Sequence, residues 1–270
     1  MAKRSVIQRT RSVIPSLFTT MNLFSGFIAI KTAFMDADFE KAAWFIVLGA
    51  IFDTLDGLMA RLTHSASEFG VELDSLADVV TFGVAPSAII YKLFFYKYES
   101  VGILIAALPA ICGALRLARF NVQLVGFDKD YFRGLPIPSA ALFIVSFVVF
   151  HFIQHDPAFI SPATYDALMF VVVIGASLLM VSTIKYETMP KFSGSAIKKQ
   201  PLKYIVVIVA IVVTIITKGK ALFPFFFAFA VAGAIRSFIQ RMRRFAQDRR
   251  YGSLFDEEEL DEEDRGTLGI

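Results

Sequence analysis

Four aspartates in the stretch DTLDGLMARLTHSASEFGVELDSLAD, residues 53–78, stand in two pairs. Asp53 and Asp56 are three positions apart near the end of one apolar segment, and Asp74 and Asp78 are four apart at the start of the next. Spacings of three and four put side chains on one face of a helix, so each pair points one way and a short turn can bring the two pairs together. Four carboxylates converging at a membrane surface repel one another and require a cation, and hard divalent ions prefer oxygen ligands. Gly57, Ala60 and Gly70 leave room for a ligand against the helix backbone, and Arg61 supplies a cation for phosphate oxygens. Taken singly, each aspartate reads first as a solvated helix cap. Only the whole constellation marks a site.

The full pattern, Asp53-x2-Asp56-Gly57-x2-Ala60-Arg61-x8-Gly70-x3-Asp74-x3-Asp78, resembles the signature of the CDP-alcohol phosphatidyltransferase family. The resemblance implies an all-α membrane fold with a core of about six helices, usually a homodimer. It implies transfer of a substituted phosphate from a CDP-linked lipid to an alcohol, with release of CMP. By position, Asp53, Asp56, Asp74 and Asp78 match the family's ligands for two divalent ions, Mg²⁺ or Mn²⁺. Asp78 also matches the group that takes the acceptor's proton, and Asp56, Gly57, Ala60, Arg61, Ser67 and Gly70 match the CDP-lipid subsite. The chemistry is coherent: two ions about 3.5–4 Å apart neutralise a pyrophosphate, and a carboxylate beside them is a suitable base for a poorly acidic hydroxyl.

Three further stretches, DSLADVVTFGVAP at 74–86, RLARFNV at 116–122 and FRGLPIPSAA at 132–141, resemble the bacterial and archaeal branch of that family that uses L-serine. One departure is visible: Pro15-Ser16 stands where that branch commonly has Pro-Asn. The implied substrates are CDP-diacylglycerol and L-serine. Serine carries a carboxylate, and Arg116, Arg119 and Arg133 are the cations available to meet it. Two alternatives stay open. A sister transferase using glycerol phosphate or inositol phosphate would share the aspartates and differ in the 116–138 segment. A divalent-cation transporter would carry its acids along the membrane midplane, whereas these cluster near one surface beside Arg61.

The elements that must hold these residues are membrane spans. The chain is 56% hydrophobic with 29 Phe in 270 residues, far too apolar for a soluble domain. Long apolar runs point to a polytopic helical membrane protein of about eight transmembrane helices. Spans are expected near 16–35, 42–61, 73–96, 101–118, 139–154, 166–184, 204–217 and 221–239, the last two joined by a tight hairpin. Trp44 sits like an interfacial anchor, and Gly83 and Pro86 interrupt the third span. Thr19, Asn22 and Gly26 lie along one side of the first, read either as ordinary helix packing or as an approach to the catalytic centre.

The remaining segments divide the chain. Residues 1–14 are basic and read either as an interfacial helix or as a solvated arm, without a cleavable signal. Residues 15–240 form the catalytic membrane domain. Residues 241–270 form a tail that is first basic, then acidic over 256–264 and expected to be disordered. The turn at 62–71 holds His64, read as a solvated loop histidine, and residues 116–138 read as a polar loop, an anion-binding lid in the sharper reading. The single Cys112 reads as a buried small residue. With eight spans, only Lys31, Lys41, Lys92, Lys97, Lys218 and Lys220 of the 27 basic residues fall on the side opposite the termini. That bias puts both termini and the aspartate cluster at the cytoplasmic face of the cell membrane.

Overall fold

Helix starts in this chain are marked by short polar side chains. Asp38 accepts a hydrogen bond from Lys41 N at 2.9 Å, Ser67 from Gly70 N at 3.1 Å and Ser161 from Thr164 N at 3.2 Å, each satisfying a backbone donor that a first helical turn leaves unpaired. The computed structural model describes residues 2–63, 67–123, 132–154, 161–186, 209–210, 212–239 and 242, with the backbone alone for 2–14, 123, 132–133, 150–154, 162 and 185. His64, most of the basic 185–203 segment and the acidic 256–264 run lie outside the described residues.

Helix α1 (Ala2–Lys31) runs through Pro15 and closes in a π-helical turn, Thr32–Asp36. The backbone of the basic N-terminal segment is thus a helical extension of the first span. After it come α2 (Phe39–Thr63), α3 (Glu68–Asp78), a π-helical turn (Val79–Val84) and α4 (Ala85–Leu93). The expected interruption at Gly83 and Pro86 is this π turn, with Pro86 in the first turn of α4, where a missing N–H costs nothing. A 3₁₀ turn (Phe95–Tyr98) leads into α5 (Glu99–Gln123), followed by α6 (Ile137–Gln154), α7 (Pro162–Val181) and α8 (Leu222–Ile239). Helix α7 begins earlier than expected because Ser161-Pro162 makes a capped start.

Among the described residues, six helices are long and apolar enough to cross a membrane: Pro15–Asp36, Phe39–Thr63, Glu68–Leu93, Phe95–Val122, Ala163–Val181 and Leu222–Ile239; Ile137–Val149 is a shorter apolar helix. The protein is a polytopic helical membrane protein. The expected span at 204–217 falls partly outside the described residues. Its end, 212–216, is helical and turns at 217–221 through Gly219 (φ 89°), whose Cα faces the Trp44 ring. The chain divides into two compact units, Met1–Ala228 and Phe229–Ile270. The site described below lies in the first.

Glycines set how closely the first three spans approach. A Cβ at Gly26 would stand 2.6 Å from Thr81 Oγ1 and 2.8 Å from Thr81 Cα, and one at Gly49 would stand 2.6 Å from Thr81 Cγ2. Thr81, fully buried in the π turn, is therefore clasped between α1 and α2, the close backbone approach that small residues allow between membrane helices. Gly26→Ala is expected to destabilise the protein by about 1–3 kcal/mol, the usual cost of overpacking, seen as a lower unfolding midpoint in detergent. Gly175→Ala, at a position with nothing within 4 Å, serves as the neutral control. If both melt alike, the clasp is not a constraint.

The segment after residue 116, expected as a loop, stays helical to Gln123. Its polar side chains find partners on neighbouring helices, so the chain has no reason to leave the helix. Asn121 Nδ2 donates to Ser75 Oγ at 3.0 Å, and Arg119 donates to the carbonyls of Val181 (Nη1, 3.2 Å) and Ser182 (Nη2, 3.4 Å). Those carbonyls end α7, where intrahelical donors run out. Residues 132–135 close the same end. Gly134 (φ 83°) donates to Ile184 O at 2.8 Å, Leu135 N donates to Leu179 O at 2.9 Å, and a two-residue strand β1 (Phe132–Arg133) pairs antiparallel with β2 (Lys185–Tyr186), Phe132 opposite Tyr186. Tyr186 is buried, which pushes its phenol up to about 12 and keeps it neutral. Earlier in α5, Pro109 interrupts the hydrogen-bond ladder, and Ser87 Oγ on α4 accepts from Ala110 N at 3.2 Å. Cys112 is buried, as expected of it.

Candidate metal and active site

The last three turns of α2 and the second half of α3 carry the aspartates. Ser67 caps α3 and sets where that helix starts, which in turn fixes the direction of Asp74 and Asp78. The expected 62–71 turn is shorter than the sequence suggests, because α2 continues to Thr63 and α3 opens at Glu68. Gly70 therefore lies inside the first turn of α3, where a Cβ would stand 3.1 Å from Ser67 Oγ.

Asp53, Asp56 and Asp74 each present a carboxylate oxygen, and these oxygens lie within 4.8 Å of one another. Asp56 is buried; Asp53 and Asp74 are half-buried. Asp56 Oδ2 and Asp74 Oδ1 are shielded from solvent and have no hydrogen-bond partner among the described residues. A buried, unpaired carboxylate oxygen is strongly unfavourable, and two facing each other more so. The donor set is all carboxylate oxygen, the set a hard divalent cation takes. The residues present therefore fit such an ion on two counts: the orphaned oxygens and the chemistry of the donors.

Asp78 lies one turn beyond Asp74, buried with 7% exposure, its charge facing Asp53, Asp74 and Asp56. It is not one of the three oxygens that meet within 4.8 Å. On its protected side Asn22 Nδ2 of α1 donates to its Oδ1 at 3.2 Å. Thr19, a turn earlier on α1, donates to Pro15 O at 3.1 Å and lies within reach of Asp56. The polar residues of the first span thus turn toward the carboxylates.

Arginines complete the electrostatics. Arg61 is exposed at the end of α2, with its Nη1 lying 3.5 Å from where a Gly57 Cβ would be, so the guanidinium folds back over the glycine. Ala60 is half-buried and Ser67 exposed along the same rim. Arg116 is buried at 6% exposure on α5, within electrostatic reach of both Asp78 and Arg119. Arg119 donates to the carbonyls of Val181 and Ser182 at the end of α7. Arg133 lies in β1, and its side chain is outside the described residues. The structure thus brings Asp53, Asp56 and Asp74 together, with Asp78 and Arg116 within electrostatic reach, and carries Gly57, Ala60 and Arg61 on α2 and Ser67 and Gly70 at the start of α3. Sequence reasoning noticed Asn22 without finding its partner and missed Thr81 and the Ser75–Asn121 pair; in an apolar span only the unusual polarity of these residues marks them.

Known proteins bear on this geometry. Residues 12–174 match the CDP-alcohol phosphatidyltransferase family. A Helicobacter pylori protein named CDP-diacylglycerol–serine O-phosphatidyltransferase is 37% identical over 228 residues, 83% of this chain and 90% of its own. A Bacillus subtilis protein of the same name is 36% identical over 182 residues, 67% of this chain and 93% of its own. An archaetidylserine synthase of Methanothermobacter thermautotrophicus is 38% identical over 184 residues, covering 67% and 71% of the two chains. The matched span contains every aspartate of the cluster and the part of α1 that carries Asn22, and on that agreement of motif, geometry and likeness the chain belongs to the CDP-alcohol phosphatidyltransferase family.

Proposed function

We propose that this chain is a phosphatidylserine synthase, moving the phosphatidyl group of CDP-diacylglycerol to the hydroxyl of L-serine and releasing CMP at the cytoplasmic face of the cell membrane. The observation that carries the reaction is the meeting of Asp53, Asp56 and Asp74 with orphaned buried oxygens. The names of the relatives support serine as the acceptor. Two Mg²⁺ or Mn²⁺ ions, held by Asp53, Asp56, Asp74 and Asp78, supply when bound the positive charge that neutralises the pyrophosphate and the departing CMP.

The protein's own residues do the rest. Gly57 leaves the end of α2 bare so that a phosphate can approach it, and Arg61, already folded over that glycine, offers a planar fork to phosphate oxygens. Asp78 takes the proton of the serine hydroxyl as its oxygen attacks phosphorus. The buried apolar surroundings exclude water, which would otherwise compete as acceptor. Serine's carboxylate needs a cation near that base, and Arg116, buried on α5 within electrostatic reach of Asp78, suits that role; Arg119 fastens α5 to the end of α7.

The test is an assay of the purified full chain with CDP-diacylglycerol, radiolabelled L-serine and Mg²⁺ or Mn²⁺. Labelled phosphatidylserine should appear with one CMP per lipid. Label incorporation from glycerol 3-phosphate or inositol phosphate in place of serine would overturn the acceptor. In the same assay Arg116→Lys should raise the serine KM by roughly 30- to 1000-fold, the about 2–4 kcal/mol of a broken buried charged contact, with CDP-diacylglycerol affinity nearly unchanged. Arg119→Lys should mainly lower thermal stability. Equal serine KM values for Arg116→Lys and wild type would remove Arg116 from the acceptor site.

A further inference from the structure

The proposed base is held by a residue outside the family signature. Asn22 is fully buried in α1, and its amide donates to Asp78 Oδ1 at 3.2 Å. Two contacts leave Asn22 little freedom. Thr81 Oγ1, from the π turn that follows Asp78, donates to the Asn22 main-chain carbonyl at 2.9 Å. Gly49 of α2 faces the other end of the amide, where a Cβ would stand 3.0 Å from Asn22 Oδ1. A π turn widens the helix by one residue and recurs at functional sites; here it places Asp78 and Thr81 so that both reach the same asparagine. Of the two amide ends, only the NH₂ can satisfy an ionised carboxylate.

We infer that Asn22 is the positioning residue for Asp78, holding its carboxylate toward the acceptor while Thr81 and Gly49 hold Asn22. The inference rests on the proposed role of Asp78 and adds to it an element from a different helix. A carboxylate on a two-bond side chain can rotate. Without the amide, the oxygen needed for proton transfer is free to turn away from the acceptor. Positioning within hydrogen-bond reach is the first requirement of a general base.

The experiment is a double-mutant cycle on the full-length protein, with Asn22→Leu, Asp78→Asn and the pair. Leucine matches the shape of asparagine and removes the donor. In the wild-type background Asn22→Leu should lower kcat about 10- to 100-fold, as expected for loss of a hydrogen bond to a charged group. KM values for serine and CDP-diacylglycerol should stay within about 3-fold, and Mn²⁺ bound per chain, counted by electron paramagnetic resonance, should be unchanged. In the Asp78→Asn background the same change should cost almost nothing further, because the group it positions is gone. A purely structural role predicts equal losses in both backgrounds, and that outcome overturns the inference. Should the leucine variant fail to fold, Asn22→Ser, whose hydroxyl is too short to span the gap, is read by the same criteria. If the wild type itself makes no phosphatidylserine, the proposed function fails first; a working wild type with an additive cycle sinks only the positioning role.

Discussion

Alanine at any one of Asp53, Asp56 or Asp74 is expected to cut turnover at least about 1000-fold, corresponding to about 4 kcal/mol of lost transition-state stabilisation. Their oxygens converge within 4.8 Å, so each is a shared part of one centre and none can be spared while the others act. Removing one also removes the geometry that lets the remaining pair tolerate a common cation. The same variants should lose bound Mn²⁺ in an equilibrium measurement made without substrate. They should nonetheless fold, because the change relieves repulsion between like charges in the metal-free protein. A near-normal rate in any of the three, with metal still bound, would sink the shared-site reading. Retained metal with lost activity would move that aspartate from ligand to substrate contact.

Asp78→Asn should lower kcat by about 10²- to 10⁴-fold, the usual contribution of a positioned general base. Asparagine keeps the shape and still accepts from Asn22, so the surrounding α1–π turn contact survives. Affinity for CDP-diacylglycerol should therefore remain within a few-fold of wild type. Binding and rate need to be measured on one preparation. Comparable losses of both would make Asp78 a ligand alone, and an unchanged rate would exclude it from the chemistry.

Much of the site is legible in the linear chain because its logic is local. Asp53 with Asp56, and Asp74 with Asp78, obey helical spacing on either side of a short turn, and no tertiary knowledge is needed to see that two such faces can meet. The membrane class is equally local, since long apolar runs leave the backbone no alternative to helix. Ser67 and Gly70 could be placed near the turn, although α2 runs on to Thr63 and the Ser67 cap opens α3 at Glu68, both inside the expected turn.

What the chain alone does not decide is what polar residues do when their partners come from elsewhere. Residues 116–121 look like a loop because they are charged and polar, yet α5 continues to Gln123 because Asn121 meets Ser75 and Arg119 meets the end of α7. The sequence favours Arg116 and Arg119, Arg119 first, over Arg133 as the cation for serine's carboxylate. Tertiary packing turns Arg119 to backbone carbonyls and buries Arg116 within electrostatic reach of Asp78. Asn22 and Thr81 are 59 positions apart, and only the packing of α1 against the π turn makes them one unit. A hydrogen bond across such a distance depends on which helix faces which, a matter settled by the close fit of Gly26 and Gly49 around Thr81 and carried by no periodicity in the sequence.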